Sequence, residues 1–242
     1  MKAIFITTLF TCFSFQQSVY AQQGREKWSE ANAKTWYARQ PWYVGCNFIP
    51  STAINQLEMW QAETFDTTTI NRELGWASSI GMNCVRVFLH DLLYKQDPGG
   101  FLKRMDTFLK IADKNKIKVM FVFFDSVWHP EPRFGLQRTP EPHVHNSGWV
   151  QGPGVHVLRH PALFAQLEPY VTGVIERYRN DPRVVAWDLW NEPENDNANS
   201  RGSRDIHRPE KDNVVAPLLE QVFAWAKAAN PSQPITSGIW LS

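Results

Sequence analysis

Apolar residues along this chain fall into two patterns. In some short runs nearly every position is apolar: Trp42 to Ile49, Cys84 to Leu89, Ile117 to Phe124, Val184 to Trp190 and Pro234 to Trp240. Runs of this length, rich in β-branched and aromatic residues, predict strands buried on both faces. In the segments between them apolar residues recur every three or four positions, the spacing of one helix face. Asp66 to Gly81 predicts a helix capped by Asp66, with Ile70, Leu74 and Trp76 on its apolar face and Gly81 as its stop. Phe101 to Asn115 predicts a second, Pro161 to Arg179 a third ended by Asn180-Asp181-Pro182, and Asn213 to Ala229 a fourth. Pro50 to Thr64, the turn Asp97-Pro98-Gly99-Gly100, the long stretch Asp125 to Arg159 and the polar stretch Asn195 to Asp212 read as loops.

Strands without a polar face, alternating with helices, argue for a parallel sheet covered on its outside. Two arrangements meet that description. A nucleotide-binding doubly wound sheet carries a glycine-rich turn after its first strand; here Ile49 is followed by Pro50-Ser51-Thr52-Ala53, with no glycine. Polar residues instead collect where the strands end: Asn47, His90-Asp91, Asp125 and Asn191-Glu192. That is the distribution of a barrel whose chemistry sits on its carboxyl face. The expected fold is therefore α/β, a partial (β/α)8 TIM barrel of about four βα units plus a fifth strand, occupying residues 42–242 after a polar lead-in at 22–41.

Composition narrows the function classes. A net charge of +1 with 20% charged residues offers no basic surface for nucleic acid. Lys2, the apolar stretch Ala3 to Phe15 and the small residue Ala21 predict a signal peptide over residues 1–21, so the protein is expected to be exported, to the periplasm or beyond. No later stretch is apolar for long enough to hold it in a membrane. Removal of that segment leaves Cys46 and Cys84, both in predicted neighbouring strands, where cysteine acts as a small buried hydrophobe; two free thiols are expected. Eleven tryptophans are present. Trp42, Trp60, Trp128, Trp149, Trp190 and Trp240 fall near predicted strand ends and loops, where an exposed indole face can stack on a sugar, although core packing is the better explanation for any one of them taken singly.

The segment carrying the most chemistry is Val184 to Asn195, V-V-A-W-D-L-W-N-E-P-E-N. Pro193 cannot continue a strand ladder, so Glu192 is expected at the carboxyl lip of the fourth strand. Together with G-C-N-F-I-P at Gly45 to Pro50 and N-C-V-R-V-F at Asn83 to Phe88, the W-N-E-P at Trp190 to Pro193 makes the chain resemble the clan A glycoside hydrolases. The closest likeness is to bacterial family 5-like enzymes of the cellulase or 1,4-β-xylanase type. The resemblance implies hydrolysis of a β-linked plant polysaccharide (xylan, cellulose or mannan) with retention and without a cofactor. It further implies Glu192 as general acid/base, Asn191 on the sugar 2-hydroxyl, and Arg86 beneath the site orienting the nucleophile. Asn47 at the first strand's end, and Trp128 and His129 at the start of the third loop, are further candidates for sugar contact.

A retaining enzyme needs a second carboxylate about 5–5.5 Å from the first. The resemblance implies a Glu ending a seventh strand, and these 242 residues contain none. Of the other carboxylates at hand, Asp188 reads as a structural partner in the barrel wall and Glu194 follows too closely to face Glu192 across a sugar. Asp125 is the best of Asp91, Asp125, Asp188 and Glu194, although a loop-starting residue that bonds local backbone is the stronger reading of it. The expectation is that the 242 residues alone neither hydrolyse a glycan nor stay monomeric, since two apolar sheet edges are open. Two other readings stand beside this one. One is a non-catalytic sugar-binding remnant. The other is a metal-dependent hydrolase using His129, His143, His145, His156 and His160 in and beside the third loop, although no acidic ligand accompanies them. The export reading predicts that mass spectrometry of the mature protein from its host begins at Gln22; an intact Met1 overturns it.

Overall fold

The computed structural model describes residues 26–195 and 210–240. Its elements run α1 (Glu30–Ala38), β1 (Gly45–Asn47), α2 (Gln56–Trp60), α3 (Thr67–Ser79), β2 (Cys84–Phe88), α4 (Asp91–Gln96), α5 (Pro98–Lys114), β3 (Lys118–Asp125) and α6 (Val155–Leu158). A 3-10 helix (Pro161–Leu167), α7 (Glu168–Tyr178), β4 (Val184–Asn191), α8 (Glu210–Ala228) and β5 (Ile235–Gly238) follow. The expected signal peptide lies outside the described residues, and no described helix is long and apolar enough to cross a membrane.

The five strands form one sheet in the order β1-β2-β3-β4-β5, and every pair is parallel. A doubly wound sheet reverses direction at a switch point. This order never reverses, so the sheet is an arc of a barrel, as the strand-end residues suggested. All eight residues of β4 are buried, and β3 is buried from Phe121 onward. β1 departs from expectation: Trp42 to Ile49 was read as a buried strand, whereas only three residues pair and all three are exposed. It is an edge strand with a neighbour on one side only, and Trp42 is 80% exposed. Asn83 ties its approach to β2, accepting from the Val44 N–H at 2.8 Å and donating to the Trp42 carbonyl at 2.9 Å.

Helices cover the outer face of the sheet and enclose the apolar core. Asp66 caps α3 as expected, accepting from the Thr68 and Thr69 N–H groups at 3.0 Å. Two tryptophans exchange their expected places. Trp60, read as a loop residue, ends α2 and is wholly buried; its indole donates to the Phe88 carbonyl at 2.8 Å and stacks on Phe65 at 5.8 Å. A five-residue helix is too short to show a period, which is why it read as loop. Trp76, read as part of the buried face of α3, is 60% exposed under the Arg72 guanidinium at 5.1 Å; Ile70 and Leu74 are buried as expected, joined by Thr69. Asp97 to Gly100, read as a turn, is the start of α5. Asp97 accepts from the Gly100 N–H at 2.8 Å, and Pro98 takes the first helical position, where its missing N–H costs nothing.

The two cysteines are free thiols, but neither is fully buried: Cys46 is exposed on the edge strand and Cys84 is half-buried. Burial pushes the Cys84 thiol up to about 11, with Cys46 adding to the shift. Native protein should therefore react with a thiol reagent quickly at Cys46 and slowly at Cys84, and both should react after denaturation without reductant. A pair that stays protected after denaturation would mean a disulfide.

Candidate active site

Arg86 points from the middle of β2 across β3 to β4. Its Nε and Nη2 donate to Asp188 Oδ2 at 2.9 and 2.6 Å, Nη2 also donates to Asn191 Oδ1 at 2.9 Å, and Nη1 donates to Asn47 Oδ1 at 3.2 Å. The Phe88 ring lies under the guanidinium at 4.9 Å. Burial raises the Asp188 carboxyl above its ordinary range, and Arg86 pulls the other way. Three strands thus converge on one cation. The pairing of β4 with β5 shifts register between Asp188 and Asn191, and the side chains at both ends of the shift reach the same guanidinium. Gly238 on β5 leaves the room: a Cβ there would stand 3.1 Å from Arg86 Nη2 and 3.5 Å from Asp188 Oδ2.

Asp125 ends β3 and is 2% exposed. Its Oδ1 accepts from the Val127 N–H at 2.9 Å; its Oδ2 accepts from the Trp128 indole at 2.7 Å and from Asn191 Nδ2 at 3.2 Å. Despite these donors, burial pushes the carboxyl up to about 7; the Glu192 charge adds to the rise and Lys211 opposes it. The next residue, Ser126, gathers the Trp190 indole on its hydroxyl at 3.2 Å, and Gln151 Nε2 at 2.9 Å and Lys211 Nζ on its carbonyl. Gln151 in turn meets His90 Nε2 through its own carbonyl at 2.7 Å, so the lips of β2, β3 and β4 are tied together.

Glu192 follows β4 directly and is half-buried. Its backbone is left-handed, with φ 48°. That conformation costs a non-glycine residue roughly 1–2 kcal/mol and persists only where surroundings impose it. Here they are the N–H bond to the Gly238 carbonyl at 2.6 Å and the bond from Asn195 Nδ2 to Glu192 Oε2 at 2.7 Å.

Of the residues singled out in the sequence, Arg86, Asn191, Asn47 and Trp128 share one hydrogen-bond network, with Glu192 next to it along the chain. His129 is not in that network. It pairs with Val150 across the loop, its Nδ1 accepts from the Glu131 N–H at 3.3 Å, and it lines a separate loop cavity of about 310 Å³ with Trp149 and Arg138. Trp149 carries the aromatic surface onward, 5.0 Å from Phe88 and 5.8 Å from Trp128. Trp190, grouped with the loop tryptophans, is fully buried. Among the described residues no group of three histidines, cysteines or carboxylates could hold a metal; His145 instead packs against Trp128 at 5.6 Å. Of the substitute carboxylates, Asp91 is buried 3.2 Å from His90, Asp188 is held by Arg86, and Glu194 accepts from the Trp240 N–H. Lys211 and Gly238 were missed. A lysine at the end of a polar stretch reads as solvated, yet this one is fully buried in α8. Nothing local marks Gly238 as the neighbour of Arg86.

The family model for cellulase, glycosyl hydrolase family 5, matches residues 50–240. Among solved structures the chain is similar to the endo-1,4-β-mannanase from Rhizomucor miehei, at 16% identity and a TM-score of 0.52, over 83% of this chain and 57% of that one. It is similar to the β-1,4-D-mannanase from Cryptopygus antarcticus at 13% identity and a TM-score of 0.52, over 82% of this chain and 57% of that one. It is similar also to the exo-β-1,4-mannosidase Op5Man5 from Opitutaceae bacterium strain TAV5, at 18% identity and a TM-score of 0.56, over 81% and 32% respectively. The shared property is the fold, and the chain spans only part of each of these proteins. No curated protein sequence matches it.

The raised Asp125 carboxyl has a consequence for stability. Its folded value of about 7 lies above the ordinary 3.8, so between the two the folded protein holds a proton that the unfolded chain has released. The stability this contributes is complete below the lower value and is lost as pH rises through the upper one. Between about pH 5 and pH 8 the melting temperature should therefore fall more steeply for the native protein than for Asp125→Asn, which has nothing to ionise. Equal pH slopes would show Asp125 charged throughout.

Proposed function

The chain belongs to glycosyl hydrolase family 5, and on that premise we propose that Glu192 is the general acid/base of a retaining hydrolase acting on a β-1,4-linked plant polysaccharide. The observation that carries the reading is the placement of Glu192 at the carboxyl lip of β4, one residue after an asparagine clamped between Arg86 and Asp125. A glycosidic oxygen leaves only if it is protonated in the transition state, and a half-buried carboxyl at the mouth of the sheet is suited to deliver that proton. Asn191 adds a fixed amide beside it for the 2-hydroxyl, a contact that strengthens as the sugar flattens toward the oxocarbenium ion.

Arg86 supplies the electrostatic floor. It is already shared by Asp188, Asn191 and Asn47, and its positive charge would favour an ionised nucleophile above it. Asp125 and Asp188 are both committed to hydrogen bonds within the protein. The nucleophile in this reading is therefore the seventh-strand glutamate of a complete barrel, and these 242 residues by themselves supply the acid/base half of the reaction. Xylan, cellulose and mannan remain the substrate class. The names of the matched structures, two mannanases and a mannosidase, make mannan the first substrate to assay. Trp128 and Asn47 are the proposed sugar contacts inside the network; His129 would reach a sugar only from the loop cavity beside it.

In the enzyme with a complete barrel, Glu192→Gln should lower turnover on an unactivated glycan by about 10²–10⁴-fold, and far less on an aryl glycoside whose leaving group scarcely needs a proton. Equal losses on both substrates would remove Glu192 from the acid/base role. Asn191→Ala should depress kcat more than it raises KM, and a pure binding defect would contradict the 2-hydroxyl contact.

A further inference from the structure

Asp125 has no part in the chemistry proposed for Glu192, yet it holds two of the side chains that chemistry uses. An asparagine amide can sit either way round, and its neighbours decide which. Arg86 can only donate, so the Asn191 atom it meets at 2.9 Å has to be the oxygen. An ionised carboxylate can only accept, so the atom Asp125 meets at 3.2 Å has to be the nitrogen. One N–H of that amide is then engaged and the other is directed away from the carboxylate. The same oxygen, Oδ2, takes the Trp128 indole at 2.7 Å. An indole N–H donates only, so this bond fixes the ring's rotation, and Trp149 and His145 make T-shaped contacts with the ring at 5.8 and 5.6 Å.

We propose that Asp125 is the positioning residue of this site: a single carboxylate oxygen sets the Asn191 amide and the Trp128 indole in register, so that the two are presented to a glycan as one unit. The inference rests on the reading of Asn191 and Glu192 given above. It departs from the bland view of Asp125 as a loop-starting residue that bonds local backbone, because only Oδ1 does that, through Val127. Charged or titratable groups face Asp125 from several elements. Glu192 comes from the lip of β4 and Lys211 from α8; Arg86 and Asp188 lie beyond the Asn191 amide, and His145 lies beyond the Trp128 ring. Burial and Glu192 together raise the carboxyl toward neutrality. A proton on Oδ1 would oppose the Val127 N–H, and a proton on Oδ2 would displace one of its two donors, so the unit loosens when Asp125 is protonated.

The test reads the unit directly and needs no catalysis. With 15N-labelled tryptophan and asparagine, the Trp128 indole and the Asn191 side-chain amide should shift with pH at a common midpoint. In Asp125→Asn that common component should vanish from both, while any shift that His145 imposes on Trp128 alone remains. If Asp125→Asn does not fold, the titration of the native protein still decides, since distinct midpoints, or a shift in one signal without the other, overturn the proposal. In the complete enzyme Asp125→Asn should lower kcat by up to about 100-fold, the scale of a misplacement of about 1 Å, with KM changed far less. A lowered melting temperature with both signals and kcat unmoved would reduce Asp125 to a structural role. Failure of the Glu192→Gln prediction with the shared titration intact would instead count against the proposed reaction, so the two ideas fail separately.

Discussion

A guanidinium inside an otherwise apolar parallel sheet has to be neutralised and hydrogen-bonded on nearly every N–H, or the sheet does not form around it. Arg86 meets that demand with Asp188 and Asn191 of β4, which lies beyond β3, and with Asn47 of β1, its register partner on the neighbouring strand. The arrangement fixes much else. It requires β4 to be in the register that puts Asp188 and Asn191 on the same cation, and it is fitted closely against Gly238 on β5, where an added Cβ would make the guanidinium give way by a few tenths of an ångström. Removing Arg86 would leave the buried Asp188 carboxyl without its cation, at a cost of about 3–5 kcal/mol. The ion pair therefore acts first as a specification of strand register and second as a platform for chemistry.

The carboxyl lip is built outward from that platform in two layers. Asn191 belongs to both, its oxygen on Arg86 below and its nitrogen on Asp125 above. From Asp125 and Ser126 the network spreads to Trp128, Trp190, Gln151 and Lys211, which anchors the long loop after β3 and the start of α8 to the sheet. That loop is held at its far side as well: Asn55, the cap of α2, donates to the Gln137 side chain at 2.8 Å and to the Gly148 carbonyl at 2.9 Å. A loop tied at both sides can hold side chains rigidly enough to bind a ligand, because its entropy is lost on folding rather than on binding. Glu192 stands at the rim of this rigid assembly in a left-handed conformation that the bond to Gly238 maintains.

Much of this was legible in the chain. Continuous apolar runs gave the buried strands β3 and β4 and most of β2, and helical spacing gave the larger helices, because burial on two faces and on one leave different periods. The same runs overstated the burial of the edge strands β1 and β5, the latter with no fully buried residue. The polar residues at strand ends distinguished a barrel from a doubly wound sheet, and Asp66 was readable as a cap because capping is local. Glu192 could be placed at a strand end because Pro193 stops a ladder wherever it stands. What failed did so where the period was too short or the environment non-local. Trp60 lay in a helix of five residues, and Trp76 sat on an amphipathic boundary that only the packing of α3 against α5 resolves. Asp97-Pro98-Gly99-Gly100 has the composition of a turn and the geometry of a capped helix start, since both use the same residues.

The site divides along the same line. Sequence alone determined that a carboxylate follows an asparagine at the end of a buried strand, and that an arginine interrupts an apolar one. Only the tertiary structure decided what those residues hold. Arg86 meets Asp188 across 102 positions of sequence, Asn191 meets Asp125 across 66, and Lys211 meets Ser126 across 85. Each partnership depends on parallel register, on the shift between β4 and β5 and on the path of the loop after β3, none of which is written in the residues on either side of a contact. A buried aspartate and a buried lysine look in sequence like the solvated residues they usually are; the difference is made by the atoms that the fold brings beside them.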